Sequence, residues 1–454
     1  MPKKSSCRFR VETGTTKADH SPQVGLIAIF RAYRGLGLAR AVGDYWTGQS
    51  DESTSTEPTQ TTSSDASDLV EYLLSLQLAG ADCIQDLDLM RRDACVEEAF
   101  GRKAPGRSRI QRFLRELGRS FIKAPLGRDP WQMVLGKSVK NIRSKCEAEN
   151  VGRLKHATID VEIVPEPATT RLTWRSNSPS HGFPNRVVCI WREADLVLSG
   201  GMCRHAADLI ARLTAALEMI DEFGVSRLLR AGPECCAPAV LSWVQKREFV
   251  YKTKPDGRHW KTYKKNIGYI LGMPPEEAPL REMAGESRLV WSAEGSLGDG
   301  AFAWAKSHKG GDMGMVKEFL FRKRKGNDDY EYARLQTNVE AIDGLLFQRF
   351  LKGDFAVACA IHDIERLAQG AFPAVSAGDA GEGRFQSAIL AYNIFTALRQ
   401  LVFSGAERQM SLDRFRQKFI CGVGRMSTKG GRWLNLSQDH IESQMHDVWQ
   451  CFPP

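Results

Sequence analysis

The chain has 454 residues, of which 42% are hydrophobic and 26% charged, and carries a formal net charge of +9 at pH 7. That length exceeds what one hydrophobic core normally organises, and the composition is far from that of a disordered chain, so two to three folded units are expected. The positive balance favours a polyanionic partner, and the 11 cysteines, without a repeated spacing, suit neither a zinc knuckle nor a disulfide framework but reduced thiols in a cytoplasm.

Residues 1–22 are polar and basic and read as a flexible tail with no apolar signal core behind it. No run of about 18 uninterrupted apolar residues follows, so a membrane partner is not expected. GLIAIFRAYRGLGL, from Gly25, spaces its apolar residues as one short amphipathic helix does. Residues 47–68 are Ser/Thr-rich and acidic, which predicts a disordered linker because almost nothing there can offset the entropy of ordering. Helical patterning returns with LVEYLLSLQLAG and with SRIQRFLRELG, where Arg109, Arg112 and Arg115 accompany an apolar stripe. Those arginines are candidate phosphate contacts, or simply a solvated face.

From residue 157 the pattern changes. ATIDVEIV is a β-branched run, TRLTWR another short strand, and VVCIWREADLVLSG reads as two strands around a turn. A long helix from about His205 to Phe223 follows, then SRLLRAG as a strand, AVLSWVQKR as a helix and EFVYKTK as a strand. This succession predicts a mixed sheet with helices packed on it. Residues 253–330 read as a strand-rich basic insertion, followed by DDYEYARLQTN as a strand. Helices are expected from Leu345 to Gly370 and from Arg384 to Phe403, and FICGVGRMSTKGGRWLNLS as a basic hairpin turning near Gly430 and Gly431.

Three basic clusters lie within or beside the insertion: Lys252 with Lys254; Arg258, Lys261, Lys264 and Lys265; and Arg322, Lys323, Arg324 and Lys325. Their electrostatic footprint points to phosphate contact. His205, His362, His440 and His446 have no zinc-ligand spacing, and Ser199-Gly200-Gly201 and Gly310-Gly311 have no phosphate-loop spacing.

In their order, the segments GLIAIFRAYRGLGLARAV, DLDLMRRDACVEEAFGRKAPGRSRIQRFLREL, ATIDVEI, SRLLRAG, YARLQTN and AILAYNIFTALRQL resemble the bacterial insertion-sequence transposases of the DDE superfamily. The resemblance implies an α/β fold: a ribonuclease-H-like mixed sheet flanked by helices, with an N-terminal helical domain and a strand-rich insertion. It assigns residues 23–150 to a helical DNA-binding region, 151–252 and 331–410 to the two halves of the ribonuclease-H-like domain, and 411–454 to a C-terminal basic hairpin and tail. It implies double-stranded DNA as partner, with terminal inverted repeats as the sites, a homodimer, and a place in the cytoplasm at the nucleoid.

Phosphodiester cleavage of this kind uses Mg or Mn held by three converging acids. Asp160 matches the first acidic position of ATIDVEIV, while the position expected to ligate metal holds Glu162. After Ala231 the resemblance asks for Asp but finds Gly232 and Pro233, with Glu234 as the nearest carboxylate. The late-helix Glu falls near Ala356 or Val357, leaving Asp354, Asp363 and Glu365 as neighbours. The expected protein is a transposase-like DNA-binding protein with degraded catalytic carboxylates. The alternatives are an active, divergent metal-dependent strand transferase and a domesticated regulator that only binds DNA.

Overall fold

The computed structural model describes residues 9–13, 25–50, 63–81, 86–93, 96–97, 100–123, 130–149, 154, 156–164, 186–223, 226–232, 235–253, 261–273, 300–309, 315–324, 330–339, 355–369, 379–421, 424–427, 432–436 and 439–452. In chain order its elements are strand β1 (Phe9–Thr13) and helices α1 (Leu26–Gly35), α2 (Leu38–Ser50), α3 (Ser63–Ala79), α4 (Leu87–Arg92), α5 (Arg107–Lys123) and α6 (Pro130–Ala148). Then come β2 (His156–Ile163), β3 (Arg186–Trp191), β4 (Leu196–Met202), α7 (Ala206–Asp221), β5 (Ser226–Ala231), α8 (Pro238–Lys246), β6 (Glu248–Thr253), β7 (Lys261–Asn266) and β8 (Gly268–Met273). The chain continues through β9 (Gly300–Lys309), β10 (Met315–Arg324), β11 (Tyr330–Thr337), α9 (Phe355–Gln369), α10 (Asp379–Val402), α11 (Leu412–Phe415), β12 (Gly424–Ser427), β13 (Arg432–Leu436) and α12 (Asp439–Cys451). It divides into two compact units, one of Met1–Arg153, Pro165–Ser176 and His362–Pro454, the other of Leu154–Val164 and Asn177–Ile361.

The first unit is mainly helical and is organised around α10, which is buried at every position from Ala380 to Arg399. A helix buried on all sides, here with Glu382, Arg384, Asn393 and Arg399 included, has no solvent face to offer, and α3, α5, α6 and α12 pack around it. The α5 contact is close: a Cβ at Gly383 would collide with the Leu114 carbonyl oxygen, and one at Gly118 with that of Asp379. On α5 itself, Ile110, Phe113, Leu114, Leu117 and Phe121 are buried at helical spacing, while Arg109, Arg112 and Arg115 face solvent. The unit also holds a three-stranded sheet in the order β1-β13-β12, with β1 parallel to β13.

Two expectations need correction in this unit. The tail at 1–22 contains β1, which finds its hydrogen-bonding partners in β13. The linker at 47–68 is entered by helix from both ends, α2 reaching Ser50 and α3 starting at Ser63, because Ala66, Leu69 and Val70 are buried and draw the helix back. In the segment expected to form the C-terminal hairpin, β12 and β13 pair antiparallel, and helix α12 follows.

The second unit is built on one eight-stranded mixed sheet, in the order β4-β3-β2-β5-β8-β11-β10-β9. β2 runs parallel to β5, and β5 to β8; the remaining pairings are antiparallel. β3 is buried at every position, as its continuous RVVCIW run requires. Helix α7 covers one face, where the Trp191 and Phe223 rings lie 5.2 Å apart and Asp221 pairs with Arg227. Of the strands within 253–330, β8, β9 and β10 belong to this sheet and not to a separate insertion, whereas the TRLTWR run lies outside the described residues. β6 and β7 form a separate two-stranded ribbon.

Candidate functional site

Asp160 sits in the centre of the sheet on β2, with no solvent exposure. In the parallel β2–β5 ladder it lies opposite Arg230, and the Arg230 Nε donates to Asp160 Oδ1 at 2.6 Å. The other carboxylate oxygen, Oδ2, accepts from Arg192 Nε at 2.7 Å. Arg192 opens the turn that joins β3 to β4, and that turn is fastened to β2 at several points. Its backbone N–H donates to the Thr158 carbonyl at 2.9 Å, while the Glu193 carboxylate accepts from the Thr158 N–H and hydroxyl at 2.8 and 2.6 Å. The turn closes through Asp195, whose φ of 51° is a left-handed conformation that Asp tolerates better than most residues.

One carboxylate therefore bears two guanidinium groups, with Arg230 buried and Arg192 nearly so. A lone charge taken out of water is costly, and charge-assisted hydrogen bonds at both oxygens are the usual remedy. The strand period puts Glu162 at a position of the same sheet face, and it is half-buried. A divalent cation at Asp160 would have to displace a guanidinium from an oxygen and stand beside two positive charges. The residues present do not fit such an ion at this position, and among the described residues no group of three His, Cys, Asp or Glu side chains is placed to hold one.

Among the described residues, no other acidic candidate besides Glu162 belongs to the unit of Asp160. Gly232 follows β5 without a side chain to offer, and its carbonyl accepts the Cys235 N–H at 3.1 Å. Glu234 and Asp354 lie outside the described residues. Asp363 and Glu365, on α9, belong to the mainly helical unit. There Asp363 is buried and accepts the backbone N–H of Leu412 at 3.3 Å, at the start of α11. Burial pushes its carboxyl up to about 6, against the opposing effects of that N–H and of His362. Glu365 is half-buried on the same helix.

The basic candidates fall into two settings. On α5, Arg109 pairs with Asp65 at 2.8 Å and Arg112 with Glu116 at 4.0 Å, and the flanking Arg107 and Arg119 pair with Asp88 and Asp379. Arg115 is exposed and has no ion pair with any described residue. Lys252, Lys261, Lys264 and Lys265 lie on the β6–β7 ribbon, and Arg322, Lys323 and Arg324 at the end of β10, between β9 and β11. Lys254, Arg258 and Lys325 lie outside the described residues.

Sequence reasoning passed over Arg192 and Arg230, the two groups that decide the chemistry at Asp160. For Arg230 a signal existed: SRLLRA reads as a strand, and an arginine buried in a strand needs an acid on a neighbouring element. Among the described residues no helix is long and apolar enough to cross a membrane. No protein-family model matches this chain, and no curated protein matches it.

Proposed function

We propose that this chain is a transposase-like DNA-binding protein on a ribonuclease-H-like scaffold, in which the leading acidic position has become the counterion of two arginines. Support for the scaffold comes from β4-β3-β2-β5-β8. Taken as third, second, first, fourth and fifth strands, they have the order and directions expected of a ribonuclease-H-like sheet, with Asp160 on the central first strand. Support for DNA as partner comes from the +9 net charge and the basic clusters of the sequence. The observation that carries the loss of chemistry is the double Arg192–Asp160–Arg230 contact, because a carboxylate already bonded at both oxygens is a poor metal ligand.

The protein binds double-stranded DNA without cutting it. Purified protein is to be incubated with plasmid bearing its own gene and flanking DNA, with magnesium, with manganese and with neither. The expected result is retarded and intact DNA in all three. Metal-dependent nicking abolished by Glu162→Ala would overturn the reading in favour of an active, rearranged site, and DNA neither retarded nor cut would remove the DNA partner.

A further inference from the structure

Two stretches of twenty residues each carry a net charge of +6. Residues 101–120 hold seven Lys or Arg and one acid, and residues 246–265 hold eight and two. Their charge is the same, but they lie on different kinds of element. In the first stretch five arginines are engaged by acids: Arg102 by Glu71 and Asp68, and Arg107, Arg109, Arg112 and Arg119 by one acid each. Much of that positive charge is balanced inside the helical unit.

The second stretch contains the β6–β7 ribbon. Its register sets Lys252 opposite Thr262, Lys261 opposite Thr253, Lys264 opposite Val250 and Lys265 opposite Phe249, so no lysine has an acid as its cross-strand partner. The single acid of the two strands, Glu248, is opposite Asn266. Alternation then puts Lys252 and Lys264 at positions of one face and Lys261 and Lys265 at positions of the other. The ribbon's base is fixed: Ile267 N–H donates to the Arg247 carbonyl at 3.2 Å, between the end of α8 and the start of β8. Lysine positions on both faces of a ribbon held at its root suit an occupant with phosphates on both sides, and the major groove of duplex DNA admits a two-stranded ribbon.

We infer that the β6–β7 ribbon, and not the arginine face of α5, is the element by which this protein holds duplex DNA. The inference rests on the DNA-binding reading above and locates the contact within it. Removing one phosphate-neutralising cation lowers the slope of log affinity against log salt by about 0.9. Binding of a fluorescent duplex by the full chain is to be measured across a salt series for the unaltered protein, for Lys252→Ala/Lys261→Ala/Lys264→Ala/Lys265→Ala, and for Arg109→Ala/Arg112→Ala/Arg115→Ala. The ribbon variant is expected to reduce the slope by about 3 to 4, and the α5 variant by less than about 1.

Circular dichroism and melting establish that each variant is folded, and glutamine at the same four ribbon positions removes charge while keeping side-chain length. A ribbon variant that is folded and keeps the original slope, or an α5 variant whose slope falls as far as that expected of the ribbon variant, overturns the inference while leaving DNA binding intact. Unaltered protein that holds anionic vesicles or single-stranded RNA but no duplex overturns the DNA reading and this inference together.

Discussion

Each of the two units buries an acid between two arginines, and the settings differ in what surrounds the guanidiniums. In the helical unit Glu71 accepts from Arg34 at 2.7 and 2.9 Å and from Arg102 at 2.9 Å, but those arginines keep 40% and 31% of their side-chain surface in solvent, and Asp68 shares Arg102. In the sheet unit Asp160 is fully buried and its arginines keep only 16% and 9%. Glu71 thus clips α1 and the Arg102 segment to α3 with water still available to its partners. Asp160 gives two nearly desolvated cations a shared counter-charge in the middle of a sheet. The same three-group motif has partly solvated cations in one unit and nearly desolvated ones in the other.

The contrast predicts its largest effect at Asp160. Asp160→Asn removes the carboxylate charge that both guanidiniums share, and removing one member of a buried ionic group costs about 3–5 kcal/mol. Urea unfolding followed by circular dichroism measures this as a fall in midpoint at unchanged slope. Replacing the whole group, as Asp160→Leu/Arg192→Met/Arg230→Met, is expected to recover most of that loss, since apolar packing of similar volume often equals a buried ion group. A triple variant as unstable as the single one would show that Asp160 holds the sheet by something other than charge pairing.

Asp363 is the opposite case, a buried acid whose near partners are a backbone N–H and an exposed histidine. Other charged groups close to it are Asp413, which repels it, and Arg416. Its folded-state pKa is raised from 3.8 to about 6, so the fold prefers the protonated form. The stability this preference contributes is fully present below about pH 4 and is lost as pH rises through about 6. Asp363→Asn keeps an acceptor for Leu412 without the charge. It is expected to raise stability by up to about 3 kcal/mol above about pH 7 and to flatten the dependence between about pH 4 and 6. Thermal melting of both forms across that range measures it, and parallel curves would mean that the carboxylate is compensated where it sits.

Glu71 comes next. Glu71→Gln retains one acceptor, and Arg34 and Arg102 can turn to water, so the expected loss is about 1–2 kcal/mol. A loss equal to that of Asp160→Asn would erase the distinction between the two acids, because exposure of the guanidiniums would then not be what sets the cost.

What could be read from the sequence follows the range of the interaction responsible. Helices α5 and α7 announce themselves by period, since Ile110, Phe113, Leu114 and Leu117, and likewise Leu209, Leu213, Leu217 and Ile220, mark one face each. β3 and β4 are legible as apolar runs around a turn. β1 is not, because FRVET lies in a polar tail and its ladder partner is Arg432–Leu436, near the other end of the chain. The start of α3 is hidden by Ser/Thr-rich composition that burial at Ala66 and Leu69 overrides. At the candidate site the position of Asp160 on a strand is readable, but its state is not. Arg192 and Arg230 are unremarkable in sequence until the β2–β5 register and the β3–β4 turn bring both to one carboxylate.

The smallest predicted effect tests whether the exposed pairs on α5 belong to the same series. Arg109 and Asp65 are 2.8 Å apart, with 44% and 41% of their side chains exposed. Water and salt screen such a pair, and the entropy of holding two long side chains offsets most of what remains. Arg109→Ala is therefore expected to change stability by no more than about 0.5 kcal/mol, and raising salt is expected to erase even that. Urea midpoints for Arg109→Ala, Asp65→Ala and the double variant, at low and high salt, give the coupling directly. A coupling above about 1 kcal/mol that survives salt would make the α5 face a structural ion network. Burial of the guanidinium would then not be the variable that separates Asp160 from the other paired acids, and the cost assigned to Asp160 would need another source.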